Sequence, residues 1–211
     1  PYSQYTPFNT PITEISTDYT ITKSVTSMVN NRLTSIVALL ATYNSQYYII
    51  YSFDKGKTWS TELIVNQEVN ATMTDITVQG YDLIVTDDTG NYWIISHTGG
   101  STLVQEKKTS LSKTVHGIEY ATVHYGPHVY DAGIVYYDST NSNTVFSLCD
   151  VSNTIVSPSI DVYFFSDAGQ NYLPSRKLLY YAPMNVFISA GSSNSLAFFD
   201  TKLNANSSTY Y

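Results

Sequence analysis

The sequence predicts an all-β fold, and three observations support this prediction. Helical periodicity is nearly absent along the 211 residues; short apolar or alternating runs recur throughout; and turn residues separate these runs. The best helix candidate, residues 34–41, is short and β-branched in its first half, and the turn-like segment 42–45 follows it. A buried strand therefore fits residues 34–41 better than a helix.

Four stretches of the chain resemble one another, which makes the all-β prediction more specific. Each stretch occupies about 40 residues and offers three or four strands, a period and strand count typical of propeller blades. The candidate strands are 36–42, 46–53 and 58–65; 73–78, 81–86, 91–96 and 102–106; 118–124, 132–137, 144–150 and 154–157; and 178–182, 186–190 and 196–201. We therefore predict a small β-propeller of four to five blades of antiparallel strands.

The predicted propeller occupies one domain, residues 1–211. A further strand is predicted at about residues 12–23, and it is available to close the last blade, which would remove a free sheet edge. A two-sheet β-sandwich is the structural alternative, because it explains the strands equally well although it does not explain the repeat.

One segment of the chain carries a recognisable motif. Ser52-Phe53-Asp54-Lys55-Gly56-Lys57-Thr58-Trp59 fits Ser/Thr-x-Asp-x-Gly-x-Thr-Trp in full, and it resembles the Asp-box, or BNR repeat, of sialidases and related propellers. In such a hairpin Asp accepts backbone N–H bonds, Gly adopts a conformation that larger residues resist, the Thr hydroxyl closes the loop and Trp lies beneath it. The resemblance implies a structural role, away from any catalytic face, for the five matching residues Ser52, Asp54, Gly56, Thr58 and Trp59.

Two other segments match the motif in part. Residues 86–93 keep Thr, Asp, Gly and Trp, with Asp88 at the position of the motif aspartate and Tyr92 at the position of the threonine. Residues 167–172 keep Asp and Gly and place a tyrosine where the motif has tryptophan. The spacing between the three segments is uneven, so the sequence supports one complete motif and two partial ones.

The resemblance also suggests sialidase activity, but the composition argues against it. A sialidase-like site needs three arginines to clamp a carboxylate, whereas this chain has two, Arg32 and Arg176. A tyrosine–glutamate nucleophile pair is not available either, because Glu119 and Tyr120 are neighbours on a predicted strand and would point to opposite faces. We therefore expect a protein that is not an enzyme and needs no cofactor.

A few residues remain as candidates for other chemistry. A glycoside hydrolase with a divergent site would need two carboxylates facing each other across a sugar, and Asp75 and Glu119, which are embedded in predicted strands, are the two candidates that we would screen. We predict no metal site, although a turn could bring His124 and His128 to one ion. The single cysteine, Cys149, lies in an alternating strand pattern and is predicted to be a core residue.

Charge and composition restrict the partners that we expect. Ten Lys and Arg against 17 Asp and Glu give a net charge of −7, which argues against nucleic acid and anionic membranes. No window approaches the length of apolar sequence that spans a bilayer. The chain has 20 tyrosines and 13% charged residues, a charge-poor composition that favours an extracellular or virion-surface location. The sequons at Asn70 and Asn206 would then be glycosylation sites.

These observations favour a non-enzymatic binding or attachment module that recognises a glycan or a protein receptor. Aromatic rings stack well on sugars, and tyrosine loses little conformational entropy when it becomes ordered. The first alternative is a structural or assembly protein of a virion or cell-surface layer, whose partners are other subunits. The hydrolase with a divergent site is the second alternative, and the sequence leaves the oligomeric state open.

Overall fold

The computed structural model describes residues 15–29, 34–79, 82–97, 103–109, 114–125, 128–138, 143–150, 160–165, 178–190, 196–200 and 209–210. The described residues form strands and no helix. The strands are β1 (Thr20–Val29), β2 (Thr34–Tyr43), β3 (Gln46–Ser52), β4 (Ser60–Leu63), β5 (Met73–Gln79), β6 (Asp82–Asp87), β7 (Asn91–His97), β8 (Leu103–Thr109), β9 (Thr114–Tyr125), β10 (His128–Asp138), β11 (Asn143–Cys149), β12 (Ile160–Phe165), β13 (Leu178–Tyr181), β14 (Val186–Ala190), β15 (Leu196–Asp200) and β16 (Thr209–Tyr210). Among these residues, then, no helix has the length and apolarity needed to cross a membrane.

The strands pair into four separate four-stranded sheets. The first sheet contains β1–β4, the second β5–β8, the third β9–β12 and the fourth β13–β16. Within each sheet every strand pairs antiparallel with the next strand of the chain, which is the blade pattern of a propeller. The predicted fold class, an all-β propeller built from antiparallel blades, is therefore confirmed. A β-sandwich would place its strands in two facing sheets and does not fit this arrangement.

The N-terminal strand differs from the prediction. Residues 20–23 begin β1, which pairs with β2 from Thr20 opposite Thr42 to Val29 opposite Thr34. They thus supply the first strand of the first sheet, whereas the fourth sheet has four strands of its own. The predicted closure of the last blade is wrong for residues 20–23, and residues 12–14 lie outside the described residues.

The chain divides into two compact units, Pro1–Ile64 and Val65–Tyr211; the assignment of one domain to residues 1–211 stays a prediction. The first unit contains the first sheet. Its β2 and β3 are joined by a two-residue turn at Asn44 and Ser45, whose φ angles are 49° and 61°. Two consecutive positive φ angles are characteristic of the tight turns that match the twist of a hairpin.

In the second unit, three sheets pack against one another through their first strands. β9 contacts β5 of the second sheet and β13 of the fourth, so the third sheet is covered on both faces. One core joins Ile134 and Tyr136 of β10 to Tyr92 of the second sheet. The other joins Phe146 of β11 to Phe187 of the fourth sheet. Because successive residues of a strand point to opposite faces, both faces of β10 are buried at residues 132–136, none of which is charged.

The third and fourth sheets come close together at Gly133 of β10. A Cβ atom at this position would lie 2.6 Å from Cε1 of Phe187 and 3.0 Å from Cε2 of Phe146. The centroids of these two rings are 5.0 Å apart. Because Gly133 has no side chain, the Phe187 ring can lie directly against the backbone of β10.

Candidate functional site

The turn between β3 and β4, residues 52–59, is closed by side-chain hydrogen bonds to Asp54. Oδ1 of Asp54 accepts the backbone N–H of Thr58 at 2.8 Å and the hydroxyl of Ser52 at 2.8 Å. Oδ2 accepts the Thr58 hydroxyl at 2.7 Å. The Ser52 hydroxyl oxygen in turn accepts the backbone N–H of Gly56 at 2.8 Å. One carboxylate thus ties the beginning of the turn to its end.

The backbone of the 52–59 turn explains its glycine and its tryptophan. Lys55 and Gly56 have φ angles of 63° and 83°, a region in which glycine costs least. A Cβ atom on Gly56 would lie 3.4 Å from Cζ2 of Trp59, so the indole ring packs directly against the turn. The backbone N–H of Thr58, then its hydroxyl and that of Ser52, lower the pKa of Asp54 from 3.8 to about 2. At neutral pH the carboxylate of Asp54 is therefore ionised in the folded turn.

The turn between β6 and β7 is closed in a similar way, by hydrogen bonds to Asp87. We call this arrangement, in which one aspartate carboxylate closes a turn, an aspartate lock. Oδ1 of Asp87 accepts the backbone N–H groups of Thr89 at 2.9 Å and Asn91 at 2.8 Å, and Oδ2 accepts the side-chain amide of Asn91 at 2.8 Å. As in the pair Asp54–Thr58, the carboxylate binds both the backbone and the side chain of the residue four positions later. Asp87 is fully buried, so these donors take the place of water.

The partial match at residues 86–93 is therefore shifted by one position. Asp88, which the sequence aligned with the motif aspartate, bonds outside the turn. Its Oδ1 accepts the backbone N–H of Thr72 at 2.9 Å, and its own N–H donates to the Thr72 carbonyl at 2.9 Å. Asp87 forms the lock instead of Asp88. The reason is that Asn91, whose side-chain amide can donate to a carboxylate, lies four residues after Asp87. The other partial match, residues 167–172, lies outside the described residues.

The two strand-embedded carboxylates lie at the junction between the second and third sheets. Asp75 is 1% exposed, and its Oδ2 accepts the backbone N–H of Ile118 at 3.1 Å. Glu119 accepts the hydroxyl of Thr77 at 3.0 Å through Oε2. Both side chains thus bind atoms of the facing sheet, which gives each of them a role in joining the two sheets.

The metal hypothesis gains no support from the described residues, which contain no group of three or more His, Cys, Asp and Glu side chains able to hold a metal ion. The backbone of the β9–β10 hairpin pairs His124 with Val129 and His128 with Tyr125. Cys149 is a buried free thiol, as predicted for a core residue, and burial raises its pKa.

Of the remaining residues that the sequence singled out, one is described by the structure and three are not. Asn70, the acceptor of the first sequon, is exposed and has a φ angle of 68°. Asn206 of the second sequon lies outside the described residues, as do Arg32 and Arg176.

Three tyrosines form a cluster at the tip of the β2–β3 hairpin, a feature that the sequence did not predict. The ring centroid of Tyr19 lies 5.4 Å from that of Tyr43 and 5.3 Å from that of Tyr48. The centroids of Tyr43 and Tyr48 are 6.4 Å apart. These separations are typical of interacting aromatic pairs. We call Tyr19, Tyr43 and Tyr48 the tyrosine cluster.

The tyrosine cluster is open to solvent and has polar neighbours. Tyr43 is 38% exposed, and the other two rings are half-buried. The hydroxyl of Tyr48 donates to Oε1 of Gln46 at 3.3 Å. Asn44, Ser45 and Gln46 at the hairpin tip are exposed and uncharged. The tip therefore combines aromatic faces with amide and hydroxyl groups.

No family model matches the chain, and no curated protein matches it. Among solved structures it is similar to a chain of the structure entitled "YCF48 bound to D1 peptide", at 10% sequence identity and a TM-score of 0.41. That match covers 91% of this chain and 54% of the other, so this chain spans about half the length of the solved one.

Proposed function

We propose that this protein is a non-enzymatic glycan-binding module and that the tyrosine cluster is its ligand-binding surface. The observation that carries the proposal is the arrangement of Tyr19, Tyr43 and Tyr48, whose rings contact one another while Tyr43 remains 38% exposed. These three tyrosines are distinguished by their mutual ring contacts at one hairpin tip, where they also leave part of their surface to water.

The chemistry of the hairpin tip suits a neutral saccharide. The apolar C–H face of a sugar ring can stack on an aromatic ring, and its hydroxyls can bond to amide and hydroxyl groups at the edge. Asn44, Ser45 and Gln46 supply such groups. Because two of the three rings are partly held by packing, little side-chain entropy is left to lose on binding.

The strand carboxylates support a role without catalysis. A glycosidase pair would have to face a sugar from both sides, whereas Asp75 and Glu119 bind Ile118 and Thr77 of the neighbouring sheet. Asp75 is also almost completely buried, so a sugar has no route to its carboxylate without opening the sheet junction.

We further propose that the 52–59 turn is a true Asp-box and that the module works outside the cell or on a virion surface. The closed hydrogen-bond network at Asp54 supports the first point. The charge-poor, tyrosine-rich composition and the exposed sequon residue Asn70 support the second.

A glycan array followed by calorimetry tests the proposed function. We expect the wild-type chain to retain at least one neutral oligosaccharide on the array. Tyr43→Ala should weaken its binding by at least about tenfold, which corresponds to about 1.4 kcal/mol. Tyr137→Ala is the matched control, because Tyr137 is also 38% exposed but lies on β10, and this variant should bind as the wild type does.

Two results would overturn the proposal. One is an array on which the folded wild-type chain retains no glycan. The other is a loss of affinity in Tyr137→Ala as large as that in Tyr43→Ala, because the ligand would then be bound without any special role of the hairpin tip. Circular dichroism of both variants establishes that they are folded.

A further inference from the structure

The tyrosine cluster continues into a row of side chains that crosses the whole first sheet. Ile21 of β1 lies opposite Ala41 of β2. Ala41 lies opposite Tyr48 of β3, and Tyr48 lies opposite Leu63 of β4. Directly paired residues of neighbouring strands have their side chains on the same face of a sheet. We call Ile21, Ala41, Tyr48 and Leu63 the cross-strand row.

The cross-strand row is open to solvent on both sides of the sheet's centre. Ile21 is 43% and Leu63 40% exposed, and the ring of Tyr48 is half-buried. Ala41, whose side chain is a single methyl group, is fully buried. Neighbouring strands lie about 4.8 Å apart, so the row extends about 14 Å from β1 to β4. It is therefore longer than the tyrosine cluster alone, which it shares at Tyr48.

The residues beside the cross-strand row on the same face are polar or aromatic and uncharged. Toward the hairpin tip, Tyr43 is paired with Gln46. On the other side of the row, Thr61 of β4 is paired with Ile50 of β3. The side chains of Tyr43, Gln46 and Thr61 are exposed. They offer a ring, an amide and a hydroxyl to a ligand on the row, and they offer no opposite charge to an ionised one.

We propose that the glycan bound by this surface is a linear, neutral, β-1,4-linked oligosaccharide that lies along the cross-strand row, with about one sugar unit on each of the four strands. This inference rests on the proposed function and names the class of glycan. The distance between neighbouring strands is close to the length that one pyranose unit adds to such a chain. Successive sugars can therefore meet Ile21, Tyr48 and Leu63 with their C–H faces, while their hydroxyls meet the polar groups beside the row.

The shape of the sheet face selects the linkage. A β-1,4 linkage between glucose-type sugars leaves each ring through equatorial bonds, so the chain is extended and its rings present their faces to a flat surface. An axial linkage bends the chain away from such a surface. A longer extended chain gains contacts along the row, while the loss of translational and rotational freedom is incurred once.

Calorimetric titration with β-1,4-linked oligomers of glucose and of N-acetylglucosamine, in lengths from two to six units, tests this inference. We expect the affinity of at least one series to rise at least about tenfold from the dimer to the tetramer and to level off beyond it. Leu63→Ala should weaken tetramer binding at least about threefold, because apolar contact area is lost at one end of the row, and should leave dimer binding unchanged. Leu179→Ala is the matched control, because Leu179 is an exposed strand leucine (49% exposed) in the second unit, and it should bind both lengths as the wild type does.

The results separate this inference from the proposed function. A folded chain that retains no glycan on the array overturns both. Array ligands that depend on Tyr43, with no gain in affinity from two to four units in either β-1,4-linked series, overturn the inference and leave the proposed function standing. The inference is also overturned if Leu63→Ala weakens dimer and tetramer equally, or if Leu179→Ala weakens the tetramer as much as Leu63→Ala does.

A second variant keeps the test valid if Leu63→Ala disturbs β4. Ile21→Thr removes apolar surface at the other end of the cross-strand row and keeps a β-branched residue, which suits a strand, in β1. It should reduce the gain in affinity from dimer to tetramer as Leu63→Ala does, and an unchanged gain in both variants overturns the inference. Circular dichroism establishes that each variant is folded.

Discussion

The carboxylate of Asp75 in β5 accepts the backbone N–H of Ile118 in β9 at 3.1 Å, across the junction between the second and third sheets. Its other oxygen accepts the backbone N–H of Ile76 at 2.9 Å. Two residues along β5, the Thr77 oxygen accepts the backbone N–H of Tyr120 at 3.0 Å. Side chains of one sheet thus satisfy backbone donors of the next, so the two sheets are joined by directional bonds as well as by apolar packing.

Replacing Asp75 should therefore weaken the second unit. Asp75→Ala leaves the N–H of Ile118 without its acceptor in a buried position, and hydrogen bonds to charged groups contribute about 1.5–3 kcal/mol each. We expect a loss of about 3 kcal/mol in the free energy of unfolding, measured by urea denaturation. Asp75→Asn keeps one acceptor oxygen and should lose less. A change below about 0.5 kcal/mol in Asp75→Ala, the range of ordinary surface substitutions, would contradict this reading of the junction.

Local sequence patterns were sufficient to predict most strands, but they did not predict which strands pair or which side chains come into contact. The alternating runs and turn residues indicated β5, β6 and β7 nearly to their ends, because their apolar content and turns are local properties. They gave β1 incorrect bounds, because much of Thr20–Val29 is polar and its place in the first sheet depends on pairing with β2. The role of Asp87 was missed because two adjacent aspartates look alike until the partner at Asn91 is known.

The tyrosine cluster was missed for a related reason. Tyr19 lies outside the hairpin that holds Tyr43 and Tyr48, and the register of β1 against β2 brings it beside them, with Thr20 opposite Thr42. With 20 tyrosines in the chain, composition predicted aromatic surfaces in general, but register determined which rings meet.

A side chain at position 133 should disturb the junction between the third and fourth sheets. The Cβ atom of Gly133→Ala would lie 2.6 Å from Cε1 and 2.8 Å from Cζ of Phe187, so the ring must move within a packed core. Overpacking of this kind typically costs about 1–3 kcal/mol, and we expect about 2 kcal/mol by urea denaturation.

A double-mutant cycle checks the cause of that loss. Phe187→Leu removes the atoms that the new methyl group meets, so Gly133→Ala should cost clearly less in the Phe187→Leu background than in the wild type. Equal costs in the two backgrounds would show that the strain comes from the Phe146 ring or the backbone of β10 and not from the Phe187 ring.

The two aspartate-locked turns should differ in how much they contribute to stability. Asp87 is fully buried and accepts the backbone N–H and the side-chain amide of the buried Asn91, so Asp87→Ala leaves these buried donors without their acceptor and should cost about 3 kcal/mol. Asp54 is only partly buried, so water can replace the lost partners and Asp54→Ala should cost less. Urea denaturation of both variants measures the difference, and an equal or larger loss in Asp54→Ala would contradict the assigned burial of the two locks.

The lock at Asp54 should also make the first unit sensitive to acid. Its pKa is about 2 in the folded chain, below the ordinary value of 3.8, because the backbone N–H and hydroxyl of Thr58 and the hydroxyl of Ser52 bond to the ionised form. A group whose pKa is lower in the folded state stabilises the fold above its unfolded pKa and loses that contribution as the pH falls through its folded pKa. The contribution of Asp54 should thus be complete above about pH 4 and lost by about pH 2. Urea midpoints of the wild type and Asp54→Asn, with the fluorescence of Trp59 beside the turn and of Trp93 as the probe, should differ most above this window and converge below it. A difference that stays constant across the window would mean that the charge of Asp54 does not hold the turn.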